Sequence, residues 1–271
     1  MDKTNRFAMM IQALTELVEE EQVSSASLPV SGTPSATSTP ILPGLNSVLA
    51  DISPLPHEAI FLGMAEDGLP VLLNLYDPVP GPILITGDPS SGKTALLQTI
   101  ARAAELLHPS EKVQYGIITQ KPDEWKQFYR NQNSAGIFRT TDDNTRELLQ
   151  SLVSWAHRNK GSEQSILLLI DDLPSISKLD EKTQQDLRWL LLRGSHRRIW
   201  TFVTLNAAQA EELGDWLDFF HTRLFGHVEN SEDAYIVTGT RDEGLKALTP
   251  KTQFAMREGN NLLRFLIPPI E

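Results

Sequence analysis

The chain has 271 residues, 40% of them apolar, with 24 basic against 35 acidic side chains and a formal net charge of −11. That apolar share fills a core and excludes a wholly disordered protein; the acidic balance counts against a basic coat for gripping nucleic acid, though not against a local basic stripe such as one lining a ring's pore. Cysteine is absent, which excludes disulfides, thiolate catalysis and cysteine-held zinc or iron–sulfur centres, and no run of about 18 apolar residues suggests a membrane span.

The first element expected is an amphipathic helix over residues 4–21, because Phe7, Met10, Ile11, Leu14, Leu17 and Val18 recur at helical spacing before Glu19 to Glu21. Acidic residues run through this apolar part, and a secretory signal's plain apolar centre and small-residue cleavage site are missing, so the chain is expected to be cytoplasmic. "VSSASLPVSGTPSATSTPILPG" follows, rich in Ser, Thr and Pro and nearly free of charge, which reads as a linker. The organisation expected is therefore a helical segment over residues 1–22, a linker over 23–53 and a globular domain over 54–271. The tethered helix either packs back on its own domain or docks on a partner protein or neighbouring subunit.

The globular part opens with "AIFLGMAEDGLPVLLNL", two apolar runs flanking Asp67-Gly68, a favoured hairpin turn because glycine tolerates positive φ. Strands and helices then alternate: a strand at Ile83–Thr86, a helix at Lys93–Leu107, a strand at Val113–Thr119 and a helix from Asp142 or Asp143 to about Lys160, stopped by Gly161. A strand at Ser165–Ile170, a helix through about Arg193 and a strand at Trp200–Leu205 complete the series. Unbroken apolar strands separated by helices predict an α/β protein with a parallel sheet covered on both faces.

Between the first of these strands and its helix lies "GDPSSGKT", residues 87–94. Strand, G-x-x-x-x-G-K-[ST], helix is the context that a phosphate-binding loop needs. Gly87 and Gly92 let the backbone turn tightly and approach phosphates; Asp88, Ser90 and Ser91 of the loop, which Pro89 helps to turn, and Ala95 in the first helical turn present N–H groups and a helix N-terminus to the anion. Lys93 is expected to reach the β- and γ-phosphates, and the Thr94 hydroxyl to ligate Mg²⁺. A second element, a carboxylate for the magnesium shell, is expected at the end of a neighbouring strand, and "SILLLIDDLPS" supplies Asp171. Asp172, one residue on, is placed to take a proton from an attacking water; the other reading of the pair is a helix cap or a solvated turn. Asn206, ending "WTFVTLN", either touches the γ-phosphate or its water, or is an ordinary loop residue.

The order of these motifs resembles the FtsK/HerA superfamily of P-loop motor ATPases (FtsK/SpoIIIE-like), which includes DNA translocases, conjugation coupling proteins and type VII secretion ATPases. The hairpin "IFLGMAEDGLPVLLNL" before "PILITGDPSSGKTALLQTIA", then "VQYGIITQKPDEW", "LLLIDDLP", "LLLRGSHRRIWTFVTLN", "FFHTRLFGHVENSEDAYIVTG" and "FAMREGNNLLRFLIPP" carry the resemblance over about residues 57–268. It implies a RecA/ASCE-like P-loop NTPase fold, ATP and Mg²⁺ as ligands, and copies assembled in a ring, often a hexamer, acting on DNA or a protein. It also implies an arginine donated to the γ-phosphate by the neighbouring subunit, for which "RGSHRR" offers Arg193, Arg197 and Arg198, with Arg223 a further candidate. A basic surface turn is the other reading of those arginines. Two departures stand out: Asp172 replaces the usual Glu and Asn206 the usual Gln, and a base one methylene shorter predicts slow hydrolysis or dependence on a neighbour. The absence of an Asn/Thr-Lys-x-Asp guanine signature favours ATP over GTP. The competing expectation is a weakly hydrolysing nucleotide switch that recruits a partner through its N-terminal helix.

Overall fold

The computed structural model describes residues 43–159, 161, 163–240, 244–258 and 261–271. The N-terminal amphipathic helix and most of the expected linker lie outside the described residues. The first element, α1 (Leu45–Asp51), corrects the linker's expected end at residue 53: "LNSVLAD" is helical and buries Leu45, Val48 and Leu49 against Phe61 and Ala103. Its apolar residues at i, i+3 and i+4 form one narrow stripe, and Leu45 N–H donates to Pro269 O at 2.9 Å, tying it to the C-terminal segment.

β1 (Ala59–Ala65) and β2 (Pro70–Asn74) form the hairpin expected around Asp67-Gly68. Gly68 sits at φ 84°, and the Leu69 N–H donates to Asp67 Oδ1 at 3.0 Å. Next come β3 (Ile83–Gly87), α2 (Lys93–Leu107), β4 (Val113–Thr119), a 3₁₀ turn at Pro122–Phe128, β5 (Ser134–Arg139), α3 (Asp143–Arg158) and β6 (Ser165–Asp171). The single helix expected after β6 is two, α4 (Leu173–Ile176) and α5 (Glu181–Arg193), because Asp180 starts a new helix by accepting the Thr183 N–H. β7 (Ile199–Asn206), α6 (Gly214–Leu217), β8 (Thr222–Phe225), α7 (Ser231–Thr238), β9 (Gln253–Glu258) and β10 (Asn261–Leu266) complete the chain. Within "FFHTRLFGHVENSEDAYIVTG", residues 222–225 form the strand and residues 231–238 a helix. Asn230 caps the helix by accepting the Glu232 and Asp233 N–H groups, and Gly239 ends it at φ 76°.

One sheet of ten strands runs β2-β1-β10-β9-β8-β3-β7-β6-β4-β5. The six strands from β8 to β5 are mutually parallel, whereas β9, β10, β1 and β2 add an antiparallel wing that carries the hairpin at its edge. Side chains alternate between two cores. Leu84, Leu168, Ile170, Val203 and Leu205 face α3 and α5, while Ile83, Ile85, Leu167, Leu169 and Phe202 face α2. Burial on both faces is why β6 reads as a continuous apolar run. The parallel pairing also brings the C-terminal ends of β3, β7 and β6 side by side, which is where ligands bind in open α/β sheets.

Candidate functional site

Gly87 ends β3, and residues 88–92 turn the chain into α2. Two glycines are needed sterically. A Cβ on Gly87 would come 2.7 Å from Ser91 Oγ, and one on Gly92 would come 2.7 Å from Lys251 Cα, with Gly92 itself at φ 102°. Ser90, at φ 66°, is also left-handed, so the backbone folds into a concavity whose amides precede the unpaired N–H groups of the first turn of α2. The Ser91 N–H donates to Asp88 O at 3.0 Å, closing the turn.

Lys93 folds back over this loop, its Nζ donating to Gly87 O at 2.9 Å and to Asp88 O at 2.7 Å. Burial pulls its ammonium down to about 8, against the opposing pull of Asp171, Asp88 and Asp172. Thr94, at the second position of α2, donates its hydroxyl to Asp171 Oδ1 and Oδ2, both at 3.1 Å. The sequence-predicted metal pair therefore meets between the first turn of α2 and the end of β6. Burial raises the Asp171 carboxyl above its usual range, while hydrogen bonds from Thr204 and Thr94 pull it back. A hydroxyl and a carboxylate are hard oxygen donors that suit Mg²⁺, which is commonly held by one or two protein oxygens plus phosphate and water. Among the described residues no cluster of three or more His, Cys, Asp or Glu side chains forms a protein-only metal cage.

Asp172 follows at φ 103° and ψ 92°, a strained conformation for a residue with a side chain. Its carboxylate accepts a hydrogen bond from Ser175 Oγ, and Ser175 Oγ in turn accepts from the Gln120 amide at the end of β4. Asn206 ends β7 directly beside Gly87 in the strand register, and its amide donates to Gln209 Oε1 at 3.1 Å.

The arginines are elsewhere. Arg193, the last residue of α5, and Arg197, in the turn that precedes β7, are exposed at the opposite end of the sheet from Gly87–Thr94. The length of β7, at about 3.3 Å per residue, separates them from their own loop by roughly 25 Å. Arg198 is stacked over Tyr76, 3.9 Å from the ring centroid. Arg223 spends its guanidinium on the carbonyls of Phe220, Val237 and Leu217, which is a structural use.

Two contributors were missed by sequence reasoning. Thr204 donates to Asp171 Oδ1 at 3.0 Å and accepts the Asp172 N–H at 2.8 Å, so one buried hydroxyl orients both acids. Its signal was one of two threonines inside a largely apolar strand. The outer wall of the loop comes from residues far along the chain: His227 O accepts the Asp88 N–H, the Glu229 N–H donates to Asp88 Oδ2, and the Lys251 N–H donates to Ser91 O, each at 2.8 Å. No local pattern announces that closure.

No protein-family model matches the chain. A stretch of 136 residues is 28% identical to transcription termination factor Rho of Streptomyces coelicolor, covering 48% of this chain and 33% of Rho. Among solved structures, Thermomonospora curvata EccC (ATPases 2 and 3) in complex with a signal sequence peptide superposes on 88% of the chain, with a TM-score of 0.67 and 15% identity. EssC (ATPases 2 and 3) from Geobacillus thermodenitrificans covers 81% at a TM-score of 0.63 and 13% identity, and the pCW3 conjugation coupling protein TcpA with ATPγS covers 78% at 0.59 and 16%. The chain spans 45% of that EccC chain, 48% of the EssC chain and 66% of the TcpA chain. These superpositions show that the chain shares the α/β fold of the EccC and EssC ATPase domains and of TcpA.

Proposed function

We propose that the protein binds ATP with Mg²⁺ at Gly87–Thr94 and hydrolyses it as one subunit of a ring or other oligomer that works on DNA or on a protein complex. The observation carrying this reading is the convergence of the Thr94 hydroxyl and the Asp171 carboxylate beside a loop that buries the Lys93 ammonium. Loop amides and Lys93 hold the β- and γ-phosphates. Thr94 and Asp171 hold the metal, which when bound neutralises charge on the phosphate oxygens. Asp172 takes the proton of the attacking water, and Asn206, next to Gly87, orients that water. Arg193 or Arg197, which cannot reach their own loop, act on the nucleotide of a neighbouring copy. EccC and EssC ATPases and a conjugation coupling protein share this fold, and that likeness supports a motor or assembly role.

A specific observation favours a second reading. The Asp172 carboxylate is short by one methylene and already bonded to Ser175, which suits a slow nucleotide switch that recruits a partner through the N-terminal segment.

Mg-dependent ATP turnover, measured with and without DNA over a range of protein concentrations, tests both. For the motor reading, turnover rises steeply with concentration, Lys93→Ala abolishes it, and Asp171→Ala cuts it by about two orders of magnitude or more. Equal turnover in wild type and Lys93→Ala defeats the nucleotide-site reading altogether. Tight ATP binding with negligible turnover under every condition selects the switch.

A further inference from the structure

One charged residue at the loop has no part in the scheme above. Lys251, in the turn before β9, donates its N–H to Ser91 O at 2.8 Å, and its Cα occupies the space that a Cβ on Gly92 would need. Gly92 is the N-cap of α2, so this backbone touches the loop at the point where it enters the first helical turn.

Lys251 adopts φ 72°, a left-handed conformation that glycine or asparagine takes readily and lysine does not. A lysine is nevertheless there. Its side chain is exposed and forms no ion pair among the described residues.

The charge of the site gives that ammonium a task. Lys93 faces Asp171, Asp88 and Asp172, so one buried cation is outnumbered by carboxylates before any anion arrives. A phosphate chain entering such a site is attracted more strongly when another cation stands at its rim. Lysine's flexible four-carbon stem lets the ammonium follow a bound phosphate from a backbone anchored at Ser91.

We infer that Lys251 is a second cation for the phosphate chain of the nucleotide bound at Gly87–Thr94, supplied by the same chain. This rests on the phosphate-site reading, and the test separates the two. Lys251→Gly keeps the left-handed turn and removes the ammonium, while Lys251→Arg keeps the charge. Calorimetric titrations with Mg-ADP and with a non-hydrolysable Mg-ATP analogue are run on both, on wild type and on Lys93→Ala. Loss of one charge-assisted contact raises Kd about tenfold for both nucleotides in Lys251→Gly, and Lys251→Arg recovers most of it. The thermal midpoint of Lys251→Gly without nucleotide equals or exceeds that of wild type, because glycine relieves the turn.

Wild-type affinity in Lys251→Gly overturns the inference, as does equal weakening in Lys251→Gly and Lys251→Arg, which assigns the effect to the backbone. If Lys93→Ala binds both nucleotides as wild type does, the phosphate-site reading fails first and the inference falls with it.

Discussion

At Lys93 two physical demands conflict. The proposed role needs a charged ammonium to meet a phosphate, yet burial pulls it down to about 8, with Asp171, Asp88 and Asp172 only partly restoring it. In the unliganded protein the ammonium therefore carries a cost at neutral pH. Because its folded value lies below the unfolded one, that cost is present below pH 8 and fades as pH rises from about 8 towards 10.5. Nucleotide binding at the proposed site would have the opposite sign: above pH 8 the site must first take up a proton. The Kd for Mg-ADP is expected to be flat up to about pH 7 and to rise above pH 8 by up to about tenfold per pH unit, with proton uptake measurable by calorimetry in two buffers. Lys93→Ala should show no such slope. A wild-type Kd that is the same at about pH 7 and about pH 9 would mean that the ammonium is not what holds the phosphate.

Elements differ in how clearly they announce themselves. The helix at Lys93–Leu107 and the strand at Val113–Thr119 match the sequence expectation residue for residue, since one shows a clean helical stripe and the other a buried apolar run. β5 (Ser134–Arg139) was not anticipated: it is a half-exposed edge strand containing Gly136 at φ 139°, with neither alternation nor apolar density to mark it. The site splits in the same way. Gly87–Thr94 and Asp171 were legible because each sits at the end of a strongly patterned strand, whereas Thr204 and Lys251 owe their positions to tertiary pairing. α1 is the instructive miss, since one turn of Leu45, Val48 and Leu49 within a Ser/Thr/Pro-rich stretch looks like tether. If it is instead part of the domain's core, Leu49→Ala should lower unfolding free energy by about 3 kcal/mol, or the thermal midpoint by several degrees. Ser47→Ala, on the exposed face of the same helix, should change it by less than about 0.5 kcal/mol. Equal midpoints for the two variants would return α1 to the linker.

On the scale of the molecule, the sheet sets what one copy can and cannot do alone. Gly87, Asp171 and Asn206 all lie at the C-terminal ends of parallel strands, while Arg193 and Arg197 lie at the other end. One copy thus has the acidic candidate site at one pole and the exposed Arg193 and Arg197 side chains at the opposite one. In the head-to-tail ring proposed above, the two poles would meet and every site would be composite. This arrangement allows a complementation test that no single-subunit enzyme passes. Lys93→Ala destroys the site but keeps the arginines, and an Arg193→Ala/Arg197→Ala variant keeps the site but lacks the donated charge. Each alone should hydrolyse ATP poorly, and the arginine variant should still bind it. Mixed in equal amounts and allowed to exchange, about a quarter of the interfaces pair an intact site with an intact arginine donor. Turnover should therefore rise well above the average of the two inactive preparations and grow with total protein concentration. If the mixture does no better than its parts at any concentration, although exchange is shown by a labelled subunit, the arginines do not act across an interface. Normal turnover in the arginine variant by itself places the charge-stabilising group elsewhere.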